Sequence, residues 1–232
     1  SDYFSVSVAS AGDVNGDGYA DVVVGAYRND SAGINAGKAY VYHGSASGLS
    51  TTPDWTATGE VANYFGFSVA SAGDVNGDGY ADVIVGAYGN DGAGSAAGEA
   101  YVYYGSASGL SATPDWSDQG EAAGDTFGSS VASAGDVNGD GYADVIVGAY
   151  YNDDAYSDAG KAYVYYGSSS GLSTTSDWSA TGEAANDYFG YSVASAGDVN
   201  GDGYDDVVIG AYGNDSVAVA AGKVYVYYGS SS

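Results

Sequence analysis

The sequence predicts an all-β protein, a β-propeller built from four repeated blades of about four antiparallel strands each. Two observations predict this fold: one unit recurs along the whole chain, and within each unit short β-type segments alternate with clusters of Gly, Asn, Asp and Ser. The string SVASAGDVNGDGY recurs almost unchanged, and its first Asp falls at Asp13, Asp74, Asp136 and Asp198. Such a regular period of about 60 residues indicates a propeller, a solenoid or an array of modules rather than unrelated domains.

Four strands are predicted in the first unit. The segment Phe4–Ala9 alternates large and small side chains, which is the two-residue period of a strand. Asp21–Ala26 is a short apolar run, as expected for a strand covered on both faces. Ala39–Tyr42 alternates again, and Asp54–Gly59, which follows Pro53, is a weaker fourth candidate. No stretch carries the 3.6-residue apolar period of a helix, so each unit has the size and texture of a propeller blade.

The last unit is shorter than the others. Units one to three end in a segment that begins with Asp-Trp, at Asp54, Asp115 and Asp177, whereas the fourth unit has no such segment after Tyr228. We therefore expect fifteen strands, with the last blade lacking its outer strand. We expect residues 1–232 to form a single β-propeller domain with repeats at 1–61, 62–123, 124–185 and 186–232.

Composition argues against several classes of function. The chain has 30 acidic residues against 4 Lys and Arg, a formal net charge of −26. Nucleic acids and anionic lipid surfaces attract cationic proteins, so we expect no nucleic-acid partner. No segment has the run of about 18 apolar residues that crosses a bilayer, so we expect no membrane insertion. Cys is absent, which excludes disulfides and thiolate metal sites.

Each unit carries the motif Asp-x-Asn-x-Asp-Gly-x-x-Asp directly before its second predicted strand. Ca²⁺ takes about six to eight oxygen ligands, and side chains at positions 1, 3 and 5 of a sharply turning loop converge on one ion. The Gly at position 6 permits the turn, position 7 offers its carbonyl, and the Asp at position 9 closes the cage. We therefore expect four Ca²⁺ ions, one per repeat, held by Asp13, Asn15, Asp17, Tyr19 and Asp21; by Asp74, Asn76, Asp78, Tyr80 and Asp82; by Asp136, Asn138, Asp140, Tyr142 and Asp144; and by Asp198, Asn200, Asp202, Tyr204 and Asp206.

Two other interpretations of this motif are weaker. Asp-Gly and Asn-Gly also form ordinary hairpin turns, but three carboxylates within nine residues, repeated in every unit, would repel one another without a cation. An EF-hand needs a Glu at position 12, where this chain has Val24, Val85, Val147 or Ile209 inside a predicted strand. Mg²⁺ rarely uses cages made only of protein ligands, so Ca²⁺ is favoured.

Phe65-Gly66 opens a unit, the Asp-rich cage follows, and Gly86–Tyr88 closes the second strand. With these three features the units resemble FG-GAP repeats, as in the N-terminal β-propeller of integrin α subunits and in related bacterial and fungal proteins. The resemblance covers all four units. It departs from the family at Ser5 in place of Gly, at Tyr in place of the Pro of Gly-Ala-Pro, and in having four units where seven blades are common. It implies Ca²⁺ cages on one face, ligand contacts on the other, and a secreted or cell-surface location.

A second motif, Tyr-x-Asn-Asp, follows the second strand of each unit, at the end opposite the cage. An aromatic ring, an amide and a carboxylate together suit a glycan or an extracellular protein as ligand. The same Asn-Asp pair also begins ordinary turns, and both interpretations stay open here. The candidate ligand-binding residues are Tyr27, Asn29, Asp30, Tyr88, Asn90, Asp91, Tyr150, Asn152, Asp153, Tyr212, Asn214 and Asp215.

We expect a binding or structural module and no enzyme. Nearly every repeated Asp is assigned to a cage, and the sequence has no Lys and His constellation and no phosphate-binding loop. The first hypothesis is adhesion or recognition through the face opposite the cages. The second is a structural subunit that self-associates through the unpaired edge of the last blade, because an exposed edge strand is a template for another chain. The three Trp residues are expected to be packing anchors.

Overall fold

The computed structural model describes residues 2–216 and 221–231. Its strands form four antiparallel sheets, three with four strands and the last with three, which we call blades one to four. Within the described residues, no helix has the length and apolar character needed to cross a membrane. The strands are β1 Ser7–Gly12, β2 Asp21–Ala26, β3 Lys38–Tyr42, β4 Trp55–Thr58, β5 Ser68–Gly73, β6 Asp82–Ala87, β7 Glu99–Tyr103, β8 Trp116–Gln119, β9 Ser130–Gly135, β10 Asp144–Ala149, β11 Lys161–Tyr165, β12 Trp178–Thr181, β13 Phe189–Gly197, β14 Asp206–Ala211 and β15 Lys223–Tyr227.

Every blade is a meander in which each strand pairs with the next one along the chain. In blade one, Ser7 pairs with Gly25, and the register then skips a residue between Ser10 and Gly12. Blades two, three and four skip the equivalent residue of their first strand. A β-bulge bends the strand it interrupts, and here it lies directly before the Asp-rich loop. The predicted strand count and the missing outer strand of the last blade are both confirmed.

The predicted start of the first strand is wrong in blade one. Strand β1 begins at Ser7, and Phe4 lies exposed before it, whereas in blade four the equivalent strand begins at the buried Phe189. The difference lies within the sheet: Phe189 pairs with Ala211 of strand β14, so the ladder of blade four starts three residues before Ser192, the residue equivalent to Ser7. Phe65 and Phe127 make the same bridge to the preceding blade as Phe189, yet strands β5 and β9 begin at Ser68 and Ser130.

The blades pack side by side in chain order, with β1 against β5, β5 against β9 and β9 against β13. Val69 is 5% exposed because the preceding blade covers it, whereas the equivalent Val8 of blade one is 59% exposed. At the other end of the row, Val226 is 46% exposed, whereas the equivalent Val102 of blade two is fully buried. The described chain is therefore a row of four blades with an open apolar face at each end.

Glycines let neighbouring blades approach at backbone distance. A Cβ added to Gly86 would clash with the carbonyl oxygen of Gly128 in the next blade. The Gly that follows Phe in blades two to four has a φ between 80° and 84°, a conformation that favours glycine. The Phe-Gly pair of one blade thus packs on the Gly-Ala-Tyr segment of the blade before it, which gives the repeated motif a packing role. The same contact recurs between Gly25 and Gly66 and between Gly148 and Gly190.

The tryptophans also join blades, which confirms their predicted packing role. Trp55 lies edge-on to Tyr103 of blade two with ring centroids 4.8 Å apart, and its indole N–H donates to the carbonyl of Ser111 at 2.8 Å. Trp116 repeats both contacts toward blade three, with Tyr165 at 4.9 Å and a carbonyl acceptor at 2.8 Å. Edge-to-face ring pairs of this kind contribute about 0.5–1.5 kcal/mol beyond buried area.

Candidate functional site

The Asp-rich loops lie along one side of the row of blades, because each connects the first and second strands of its own blade. In the first loop, Gly16 and Gly18 have φ values of 72° and 88°. Side chains other than Gly rarely adopt this left-handed region. The two glycines therefore permit the tight turn that brings positions 1, 3 and 5 of the motif together, and the other three loops have the same pair.

The side chains at positions 1, 3 and 5 fold over the backbone of their own loop. Asp13 Oδ1 accepts hydrogen bonds from Gly16 N at 2.7 Å and Asp17 N at 3.1 Å, and Asp13 Oδ2 accepts one from Gly18 N at 2.8 Å. Asn15 Oδ1 accepts a hydrogen bond from Asp17 N at 2.9 Å. The pattern recurs in the other loops. The structure therefore gathers these three positions in one small loop, and each loop is ordered by bonds to its own carboxylates.

The Asp at position 9 has a different environment. Asp21 is fully buried; its Oδ2 accepts a hydrogen bond from Val14 N at 3.0 Å and its Oδ1 accepts one from Gly44 N at 2.8 Å. It therefore ties the loop to the end of strand β3. Burial raises the pKa of the equivalent Asp82 and Asp144 to about 7, and the loop's other carboxylates add to this shift. A nearby cation would offset the cost of keeping these groups ionised.

The donor set of each loop fits a calcium ion in its chemistry. Three carboxylates, an amide oxygen and backbone carbonyls are hard oxygen ligands, and none of the ion pairs among the described residues involves them. As the side chains lie, no group of three acidic or His residues in residues 2–216 and 221–231 could hold a metal ion. Asp13 and Asp21 are directed at backbone amides instead.

Neighbouring loops are joined across each blade boundary, a feature that sequence reasoning missed. Ala81 N, in the second loop, donates to the carbonyl of Asp13 in the first at 3.0 Å. The ring of Tyr80 covers Gly16 of the preceding loop, where an added Cβ would lie 2.5 Å from it. A Tyr stands at position 7 of every loop, and that repetition was the available signal. The backbone bond recurs from Ala143 to Asp74 and from Asp205 to Asp136.

On the opposite side of the row of blades, the Asn of each Tyr-x-Asn-Asp segment closes a turn. Asn90 Oδ1 accepts a hydrogen bond from Gly92 N at 2.7 Å, and the other three Asn side chains make the same bond two residues on. This is the turn role that the sequence left open. The neighbouring Asp30, Asp91 and Asp153 each accept one backbone N–H and are exposed. The carboxylates of these Asp residues and the ring of Tyr212 are exposed, whereas Tyr27, Tyr88 and Tyr150 are half-buried.

The Tyr rings of this face stack on aromatic residues that the sequence analysis did not select. Tyr88 stacks on Tyr64 with ring centroids 5.0 Å apart, and Tyr212 stacks on Tyr188 at 4.9 Å. Tyr64 and Tyr188 directly precede the Phe-Gly pairs, and each has a φ of 55°. Positive φ is strained for a bulky residue, and such strain clusters at functional sites. The recurrence of Tyr-Phe at Tyr3, Tyr64 and Tyr188 was the signal for this surface.

The chain matches two models of one repeat family and is similar in sequence to several integrin alpha chains. A model of the FG-GAP repeat matches residues 127–165 and 189–227, and a model of the FG-GAP-like repeat matches residues 13–85. Integrin alpha-5 from Xenopus laevis is 30% identical over 99% of the chain, integrin alpha-V from Gallus gallus is 34% identical over 94%, and integrin alpha-6 from Homo sapiens is 35% identical over 72%. The chain spans 22%, 21% and 14% of the length of these relatives.

Proposed function

Because the chain belongs to the FG-GAP repeat family, we propose that it is a calcium-binding extracellular module that recognises a glycan or a protein and catalyses no reaction. The observation that carries this proposal is the division of each blade into two ends. Four Asp-rich loops lie at one end, and the stacked Tyr rings with exposed carboxylates lie at the other. The proposed location is secreted or cell-surface, and the similarity to integrin α subunits supports it.

Charge supports calcium as the cofactor. Each Asp-rich loop gathers three carboxylates within nine residues of a chain whose formal net charge is −26. In the first loop the ion would be held by oxygens of Asp13, Asn15, Asp17 and Asp21 and by the carbonyl of Tyr19, with the equivalent residues in the other loops. The bound ion neutralises carboxylates that otherwise repel one another, and it stabilises the loop on which the blade boundary depends.

The recognition surface is proposed to consist of the Tyr rings and the exposed Asp carboxylates of the Tyr-x-Asn-Asp segments. Tyr212 is half exposed and stacked, so its ring is held in a fixed orientation. Rigid aromatic rings bind ligands at low entropic cost, and carboxylates accept hydrogen bonds from hydroxyl or amide groups. The Asn side chains contribute by fixing the turns that present these groups.

Binding to arrays of glycans and of extracellular proteins, in calcium and after chelation with EDTA, tests the recognition proposal. We expect at least one ligand whose binding Tyr212→Ala weakens about tenfold, a loss of about 1.4 kcal/mol. Tyr19→Ala is the matched control, because Tyr19 is also exposed but lies at the Asp-rich end. Binding that is lost in Tyr19→Ala and retained in Tyr212→Ala would contradict the proposed surface.

The open end faces of the row favour a second function, that of a structural subunit which self-associates. Strand β15 pairs only with β14 among the described strands, and Val224 and Val226 on it are exposed. Unpaired strand edges and exposed apolar faces both promote association between chains.

A further inference from the structure

Each of the three blade boundaries contains a groove between the loop that leaves one blade and the third strand of the next. We number these grooves one to three along the chain. The third strand of the following blade begins with Glu99 in groove one, Lys161 in groove two and Lys223 in groove three. Because the repeats are nearly identical, the three grooves can be compared residue by residue.

Grooves two and three each hold an ammonium group of the chain itself. Lys161 Nζ lies 3.0 Å from Glu121 Oε1 and 2.6 Å from Asp154 Oδ2, and it stands 4.9 Å from the ring centre of Tyr163. Lys223 Nζ lies 2.8 Å from Glu183 Oε1 and is placed over a Tyr ring in the same way, at 4.5 Å. A carboxylate on one wall and an aromatic ring on the other together bind the cation.

Groove one keeps the Glu and the Tyr ring but has no ammonium group, and Gly92 stands where groove two has Asp154. Glu99 stands where the other grooves have Lys, and Glu60 stands at the position of Glu121 and Glu183. The Tyr101 hydroxyl donates to Glu99 Oε2 at 2.8 Å. None of the ion pairs in the described part of the chain involves Glu60 or Glu99. Two carboxylates and a Tyr ring therefore face a groove that lacks its own cation.

A buried, unpaired acceptor also faces this groove. A cavity of about 720 Å³ opens here, lined among others by Glu60, Asn63, Glu99 and Tyr101. Asn63 is 3% exposed, and its Oδ1 has no hydrogen-bond partner. In groove two the equivalent Asp125 accepts a hydrogen bond from an Asn side chain at 3.1 Å. A buried carbonyl oxygen without a hydrogen-bond partner is unfavourable, and a donor in the cavity would supply that partner.

We propose that groove one binds a primary ammonium group, the side chain of a lysine on a partner protein, in the place that Lys161 fills in groove two. The groups that await a partner are acceptors, and an ammonium has three donors and no acceptor. The cavity exceeds the volume of one side chain, so residues flanking the lysine enter with it. This inference rests on the proposed function, since it names the chemistry of one contact with a protein ligand.

The test is a titration of the calcium-loaded protein with the peptide acetyl-Gly-Lys-Gly-amide, followed through the NMR signal of the Asn63 side-chain amide. We expect a saturable shift of that signal, and no shift with acetyl-Gly-norleucine-Gly-amide, which lacks the charge. Glu99→Lys should weaken binding at least about tenfold, because it supplies the internal ammonium of grooves two and three. The variant is expected to fold, since Lys occupies this position in the other three repeats.

Two further variants separate the groove from general charge attraction. Lys161→Glu should create a second binding site in groove two. Asp2→Lys makes the same charge change as Glu99→Lys at an exposed position and should leave binding unchanged. Equal binding by the wild type and Glu99→Lys, or equal weakening by Asp2→Lys, would overturn the inference. The array experiment can succeed while this titration fails, so a failure here is distinguishable from a failure of the proposed function.

Discussion

At the residue scale, the structure separates two roles that the Asp-rich motif combines. The sequence assigned Asp21 as the closing calcium ligand, and the spacing of the motif supports no other role. In the fold, Asp21 is also a buried acceptor for the backbone amides of Val14 and Gly44. That second role depends on strand β3, which is distant in sequence, so the motif alone could not predict it. Asp17 is exposed and is the cleaner residue for testing calcium binding.

Asp17→Ala should reduce the number of bound Ca²⁺ ions from four to three and have little effect on stability in EDTA. Asp21→Ala should also remove an ion, but in EDTA it should cost about 1–3 kcal/mol for each buried amide left without an acceptor. Calorimetric titration counts the bound ions. Urea denaturation in EDTA measures the free energy of unfolding that each substitution removes when no calcium is bound. Asp30→Ala, at the opposite end of the blade, is the control. An unchanged ion count in Asp17→Ala would show that position 5 is not a ligand.

At the element scale, periodicity predicted the strands because alternation reports which face of a strand is buried. It placed the start of the strand in blade one three residues too early, because alternation reports which side chains share a face and not where the ladder pairing begins at Ser7. The glycines at the ends of the second strands were recognised only as parts of a motif. Their role at the blade boundary became evident from the clash that a Cβ on Gly86 would make with Gly128.

Gly86→Ala should therefore destabilise the protein much more than Gly210→Ala. A Cβ on Gly86 meets backbone of the next blade, so the blades must move apart, at a cost of about 1–3 kcal/mol or more. A Cβ on Gly210 would have its nearest neighbour at 3.7 Å, an ordinary contact. Both glycines precede Ala-Tyr in the same kind of strand, which makes them a matched pair. Equal losses in urea denaturation would contradict the packing role of Gly86.

At the scale of the whole molecule, the repeats predicted the four blades and their order, because each unit buries its faces only against its neighbours. The grooves between blades could not be predicted in the same way. The difference between Glu99 and Lys161 is visible in the sequence, but its meaning depends on which carboxylates lie across the boundary. On the opposite face, Tyr27 contacts Tyr64 and Tyr150 contacts Tyr188, with ring centroids 6.2 and 6.4 Å apart, and these pairs likewise join successive repeats.

Chelation should lower the melting temperature by more than about 10 °C. A ligand that binds only the folded state at about 100 times its Kd adds about 2.7 kcal/mol per site. For a chain of this size, each 1 kcal/mol shifts the melting temperature by about 2–4 °C. The loops are also bonded to one another across the blade boundaries, so loosening one should loosen the next. Calorimetry in calcium and in EDTA measures the shift, and identical melting curves would contradict the calcium proposal.

The last prediction is that the 232-residue chain self-associates in calcium and physiological salt. The face that exposes Val226 is equivalent to the face of blade three that blade four covers. The face that exposes Val8 is equivalent to the face of blade three that carries Val131, which blade two covers. The faces of two copies therefore match each other as neighbouring blades do. A net charge of −26 opposes contact, but salt at about 0.15 M screens charges beyond about 8 Å.

Light scattering over a dilution series should show a mass that rises with concentration in the wild type and stays that of one chain in Val226→Asp and in Val8→Asp. Each substitution places a charge on a face that must be buried in the contact, and a buried unpaired charge is costly. Ile34→Asp is the control, because Ile34 is exposed on a loop outside both faces. Association that survives both face variants would instead favour pairing along the edge of strand β15, where backbone groups rather than apolar side chains make the contact. A single-chain mass at every concentration would contradict both modes and leave recognition as the remaining function.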